Sequence, residues 1–115
     1  MRLAIAAALL LAIPSFVAAK SPECEGWPTS MAFVHLKNAG LTDNSRTDPS
    51  KATAIRIASE KIGKDLYRQV HRITFRETSG ANIEVITSNN ASSEECSMSA
   101  VDVFVVSKHL GGRVR

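Results

Sequence analysis

Hydrophobic and polar positions change rhythm twice along the chain. From Gly26 to Leu41, "GWPTSMAFVHLKNAGL" repeats its apolar residues every three or four positions, which predicts a helix. Pro28 is assigned the first helical position and Gly40 the position just past the end, with Leu41 folding back on Leu36 in a Schellman turn. Trp27, Met31, Val34 and Leu41 share one stripe, and Phe33 and Leu36 widen it. Such a helix is expected to be covered on more than one side.

Turn-forming and charged residues fill "TDNSRTDPS", Thr42 to Ser50, which reads as a surface loop. The next stretch, 51–75, carries two rhythms at once. Ile55, Ala58, Ile62, Leu66, Val70 and Ile73 make a helical stripe, yet Thr53, Ile55 and Ile57 also alternate with Ala54, Arg56 and Ala58. Gly63 interrupts any continuous helix and the β-branched content favours strands, so strands are preferred, with partial helix as the alternative. In "LYRQVHRITFRE" the alternation is plain: Tyr67, His71, Ile73 and Phe75 face one way, Arg68, Arg72 and Arg76 the other. "TSGAN" supplies a turn and "IEVITS" the returning arm of a hairpin. Beyond the polar "NNASSEECSMS", the apolar run "AVDVFVVS", Ala100 to Ser107, predicts a strand buried on both faces. Gly111-Gly112 ends the ordered chain.

These elements sum to an α+β fold: one N-terminal helix packed on an antiparallel sheet of about four strands in a meander. The helix is expected to cover the side bearing Ile55, Phe75 and Val103.

The N-terminus changes the domain picture. Arg2, the apolar run Leu3 to Ile13, and Val17-Ala18-Ala19 form a charged, an apolar and a small-residue segment in the order of a secretory signal peptide, cut after Ala19. The run is shorter than the roughly 20 residues a spanning helix needs. The expected organisation is a leader, 1–19, and a single small domain, 20–115, periplasmic or secreted. Cys24 does not stand where an acylated first residue would, so no membrane anchor is expected.

The net charge of +3 is spread along the chain, and the few aromatics offer little for base stacking, so no nucleic-acid partner is expected. In an oxidising compartment Cys24 and Cys96 have one possible intramolecular pairing. Glu94 and Glu95 beside Cys96 raise a thiol's pKa rather than lowering it, which argues against a reactive thiolate.

The candidate chemistry is thin. His35, His71 and His109 lie at no metal-ligand spacing, and no cofactor motif occurs, so neither metal nor cofactor is assigned. Arg68, Arg72 and Arg76 form a strand face suited to a carboxylate-rich or phosphate-bearing partner, or a solvated face paired with Glu84 or Glu60. The exposed pair Glu94 and Glu95 is a second candidate contact. Asp102 interrupts an apolar run, so it stands near an open end or beside an Arg.

Two function classes follow. The first is a small exported non-enzymatic binding protein of the inhibitor, immunity or adaptor type, with another envelope or extracellular protein as partner and no catalytic residue. The second is a small secreted hydrolase. Its sharpest form is a ribonuclease: secreted microbial guanyl-type ribonucleases are similar in size and in laying one helix on an antiparallel sheet. That architecture casts Glu84, Arg68 or Arg72, and His71 or His109 as acid/base and phosphate-holding groups, although no sequence motif of that family occurs here.

Overall fold

The structure is a computed structural model and describes residues 21–106. The leader, the Gly111-Gly112 ending and His109 lie outside the described residues. One helix, α1 (Gly26–Asn38), precedes four strands: β1 (Thr53–Gly63), β2 (Leu66–Arg76), β3 (Asn82–Ala91) and β4 (Asp102–Val106). The strands pair antiparallel in sequence order. The α+β meander is therefore the fold, and the double rhythm of 51–75 resolves into two strands around a turn.

That turn is made at Lys64 and Asp65, between the closing pair Gly63 and Leu66. Asp65 takes φ 51°, a left-handed conformation that short acidic side chains tolerate better than branched ones. The β2–β3 turn closes through Gly80 N–H donating to Glu77 C=O (2.8 Å), with Gly80 at φ 96°.

β2 obeys its sequence alternation. Tyr67, Gln69, His71, Ile73 and Phe75 are buried, and the arginines between them are exposed. Ala32, Phe33 and Leu36 of α1 meet Ile73, Phe75 and Val85 to form the core, with Ala52, Ala54, Ile83 and Val103 at its margin. The Phe33 and Phe75 rings lie 6.0 Å apart, and Lys37 Nζ sits 4.6 Å from the Phe33 ring centre.

Four local expectations are corrected. Pro28 is the third helical residue, not the first; the first four helical N–H groups lack intrahelical acceptors, so proline is tolerated there too. The buried stripe of α1 is Pro28, Ala32, Phe33 and Leu36, while Val34 is exposed, so the helix is covered on one side. Phe33 and Leu36 of that stripe enter the core, whereas Trp27 and Met31 are only half-buried. Ile55 pairs across from Arg72 on the face away from α1, and Ala54 takes the covered position. β4 is not buried on both faces, because it is an edge strand and Phe104, Val105 and Val106 are exposed.

The helix end follows its sequence. Gly40 N–H donates to Lys37 C=O and Leu41 N–H to Leu36 C=O, both 2.9 Å, with Gly40 at φ 75°. These are the two bonds of a Schellman motif. Cys24 and Cys96 are disulfide-bonded, 5.4 Å apart at Cα and 72 positions apart in sequence. The bond fastens the segment before α1 to the β3–β4 loop.

Candidate functional site

With α1 on one side only, the sheet presents its other face uncovered among the described residues. The antiparallel register lines its side chains in rows. Ile55, Arg72, Ile86 and Phe104 form the central row, flanked by Ala58, Val70, Ser88 and Asp102 on one side and Thr53, Thr74, Glu84 and Val106 on the other. Phe104 is 59% exposed, Ile55 49% and Val106 45%. Asp102 is thus at an open position, the first of the two expected for it.

The arginine stripe crosses this apolar field. Arg68 Nη1 lies 3.2 Å from Glu60 Oε1, and Arg72 Nε 3.4 Å from Glu84 Oε2. Both pairs are solvent-exposed and contribute at most about 1 kcal/mol each. Arg72 stands between Ile55 and Ile86 across the strands, and Arg68 between Glu60 and Asn90. Arg76 has no ion-pair partner among the described residues.

Glu94 and Glu95 do not join this face. They belong to the loop after β3, where Ser92 Oγ accepts from the Glu94 and Glu95 amides at 3.2 and 3.0 Å, and Ser97 Oγ donates to Glu95 Oε2 at 2.8 Å. Ser93 fastens that loop to the β1–β2 turn through its hydroxyl and amide, which donate to Asp65 and hold its carboxyl below the ordinary range.

His71 lies on the helix side and is fully buried. Arg56 of β1 and Thr87 of β3 are its cross-strand neighbours, and Gln69 and Asn89 form the next covered row. Pro22 C=O roofs the group, accepting from Arg56 Nη1 at 2.7 Å and Gln69 Nε2 at 2.8 Å. Asn89 Nδ2 donates to Cys96 C=O at 3.2 Å, so the disulfide loop closes the same block. Burial pushes the His71 pKa below its ordinary value; Glu25 opposes the shift and Arg56 adds to it.

Of the groups cast for hydrolysis, Glu84 and Arg72 stand together on the open face, His71 stands apart from them, and His109 lies outside the described residues. Glu84 is on the open face and His71 is sealed on the other, so they do not converge on one reacting atom. The sequence reading noticed His71 but missed the polar block of Arg56, Gln69, Thr87 and Asn89 around it. Its signal was polar residues at alternate, otherwise apolar positions of two paired strands. Among the described residues no three His, Cys, Asp or Glu side chains are grouped to hold a metal ion, and no helix is long and apolar enough to cross a membrane. No protein-family model, curated protein or solved structure matches the chain.

Proposed function

We propose that this chain is an exported, non-enzymatic binding protein of the inhibitor, immunity or adaptor kind, which holds a protein partner against the open face of its sheet. The observation that carries the reading is the row Ile55, Arg72, Ile86 and Phe104: large apolar side chains, partly exposed, around an oriented guanidinium. Contiguous apolar surface on a small domain marks an interaction site, and aromatic and arginine side chains supply most interface hot spots. The matching partner presents an apolar centre with carboxylates at its rim, which Arg68, Arg72 and Arg76 select. The Cys24–Cys96 disulfide is compatible with an oxidising compartment, and the N-terminal pattern of charged, apolar and small residues supports export with cleavage after Ala19.

The test compares immobilised wild type, Phe104→Asp and Val34→Asp in an envelope extract, followed by cross-linking and identification of the bound chain. One protein is expected on the wild type and on Val34→Asp, and is lost from Phe104→Asp. Equal retention by Phe104→Asp, or turnover of RNA by the purified wild type, overturns the reading.

A further inference from the structure

Where the open face ends, between the 3-10 turn Pro49–Lys51 and the β2–β3 turn, lies a cleft of about 470 Å³ whose lining includes Lys51, Thr53, Thr74, Arg76 and Asn82. Thr53 stands across from Thr74 and Arg76 across from Asn82, so four of these side chains rise from the same side of the sheet. Asp48, Glu77, Thr78 and Gly80 complete the lining.

The charges are arranged unequally. Asp48 Oδ1 accepts from the Ser50 amide at 3.0 Å and the Ser50 hydroxyl at 2.7 Å. Glu77 Oε2 accepts from Thr42 Oγ1 at 2.9 Å and lies 3.7 Å from Arg46 Nε. Both acids are therefore engaged by neighbouring protein groups. Among the described residues, neither the Lys51 ammonium nor the Arg76 guanidinium has an ion-pair partner. The formal charges of the lining balance, but Glu77 also faces Arg46, which it shares with Asp43 at 3.7 Å each, so the uncommitted charges at the cleft are the two cations Lys51 and Arg76.

This is the donor and acceptor set of a polar organic anion. The volume falls within the small-ligand range of roughly 300–1,000 Å³. No aromatic or large aliphatic side chain lines it. Threonine hydroxyls and an amide match a body rich in hydroxyls. A planar guanidinium beside an ammonium matches a carboxylate head.

We propose that the cleft binds a hydroxylated carboxylate of sugar-acid size, with its carboxylate on Arg76 and Lys51 and its hydroxyls on Thr53, Thr74 and Asn82. Arg76 is shared with the face proposed to dock a protein, but the two sites fail separately: Phe104→Asp removes protein docking and leaves the cleft intact.

The experiment titrates the folded protein, amide-labelled for NMR, with D-glucuronate, D-glucose and inorganic phosphate. Saturable shifts confined to the amides around Thr53, Thr78, Gly80 and Asn82 are expected with glucuronate. Affinity is expected to fall at least tenfold in Arg76→Gln and in Lys51→Met, each with the remaining spectrum unchanged, and to persist in Lys61→Met. Equal binding of glucose overturns the carboxylate assignment, and equal binding of phosphate overturns the hydroxylated body. Absence of saturable shifts overturns the site.

Discussion

His71 of β2 stands directly across from Thr87 of β3, and neither side chain makes a hydrogen bond to another protein group. The charged groups facing this pair are Glu25, at the entrance to α1, and Arg56 on β1. Burial dominates, so the folded-state pKa of His71 lies below the ordinary 6.5. The native state then binds fewer protons than the unfolded chain, and stability is complete above about pH 6.5 and declines as the pH falls toward the folded pKa. Thermal melts between pH 7 and 5 should show the loss, and His71→Leu should flatten it. Asp43, Asp48 and Asp65, held below 3.8 by serine hydroxyls, lose their contributions only at more acid pH.

Cys24→Ala/Cys96→Ala, or the reduced wild type, should lose roughly 4 kcal/mol, the chain-entropy estimate for a closed loop of this size. Urea unfolding measures the loss. Intact mass before and after reduction with alkylation measures the bond itself, and two free thiols in untreated protein would contradict it. Because Asn89 bonds Cys96 C=O and Pro22 roofs Gln69, the reduced protein should also exchange the amides of the His71 block faster.

Leu36→Ala and Ile55→Ser separate packing from surface. Leu36 is 1% exposed in the core and should cost about 2–5 kcal/mol when truncated. Ile55, half-exposed on the open face, should change stability by no more than about 0.5 kcal/mol. Paired denaturation curves decide it: a large loss from Ile55→Ser would mean that the face is covered in the free protein.

Gly40→Ala should destabilise by about 1 kcal/mol, since φ 75° is costly for any residue with a Cβ. No atom lies within 4 Å of the added methyl, so the loss is wholly backbone. Gly26→Ala, in the first helical turn and equally unobstructed, should instead gain about 0.5 kcal/mol. Melting the two variants side by side checks the signs.

The parts of the fold readable from sequence are those where one local rule acts alone. Alternation in β2 placed Arg68, Arg72 and Arg76 opposite Ile73 and Phe75, and Gly40 marked the helix end. Misreadings came where two local patterns competed and a distant contact chose between them. The apolar surface of α1, read as a stripe through Trp27, Met31 and Val34 widened by Phe33 and Leu36, was wider than one contact, and the sheet selected its Phe33 and Leu36 side. Ile55 and Ala54 alternate equally well, and only pairing with β2 assigns Ala54 to the core. An apolar run such as Val103 to Val106 looks alike in a central strand and an edge strand. The cleft was invisible for the same reason: Lys51, Thr74 and Asn82 are distant in sequence and meet only through register.

β1 spans 11 residues along one border of the sheet, and its pairing with β2 slips twice, between Arg56 and Ala58 and between Lys61 and Gly63. Each slip twists the strand and breaks the regular spacing of its outward N–H and C=O groups, while Lys61 adds a charge. Another copy arriving at this border meets no long straight ladder to extend. Growth of fibrils strand by strand is thereby obstructed, and the chain can leave an apolar sheet face uncovered without polymerising along β1.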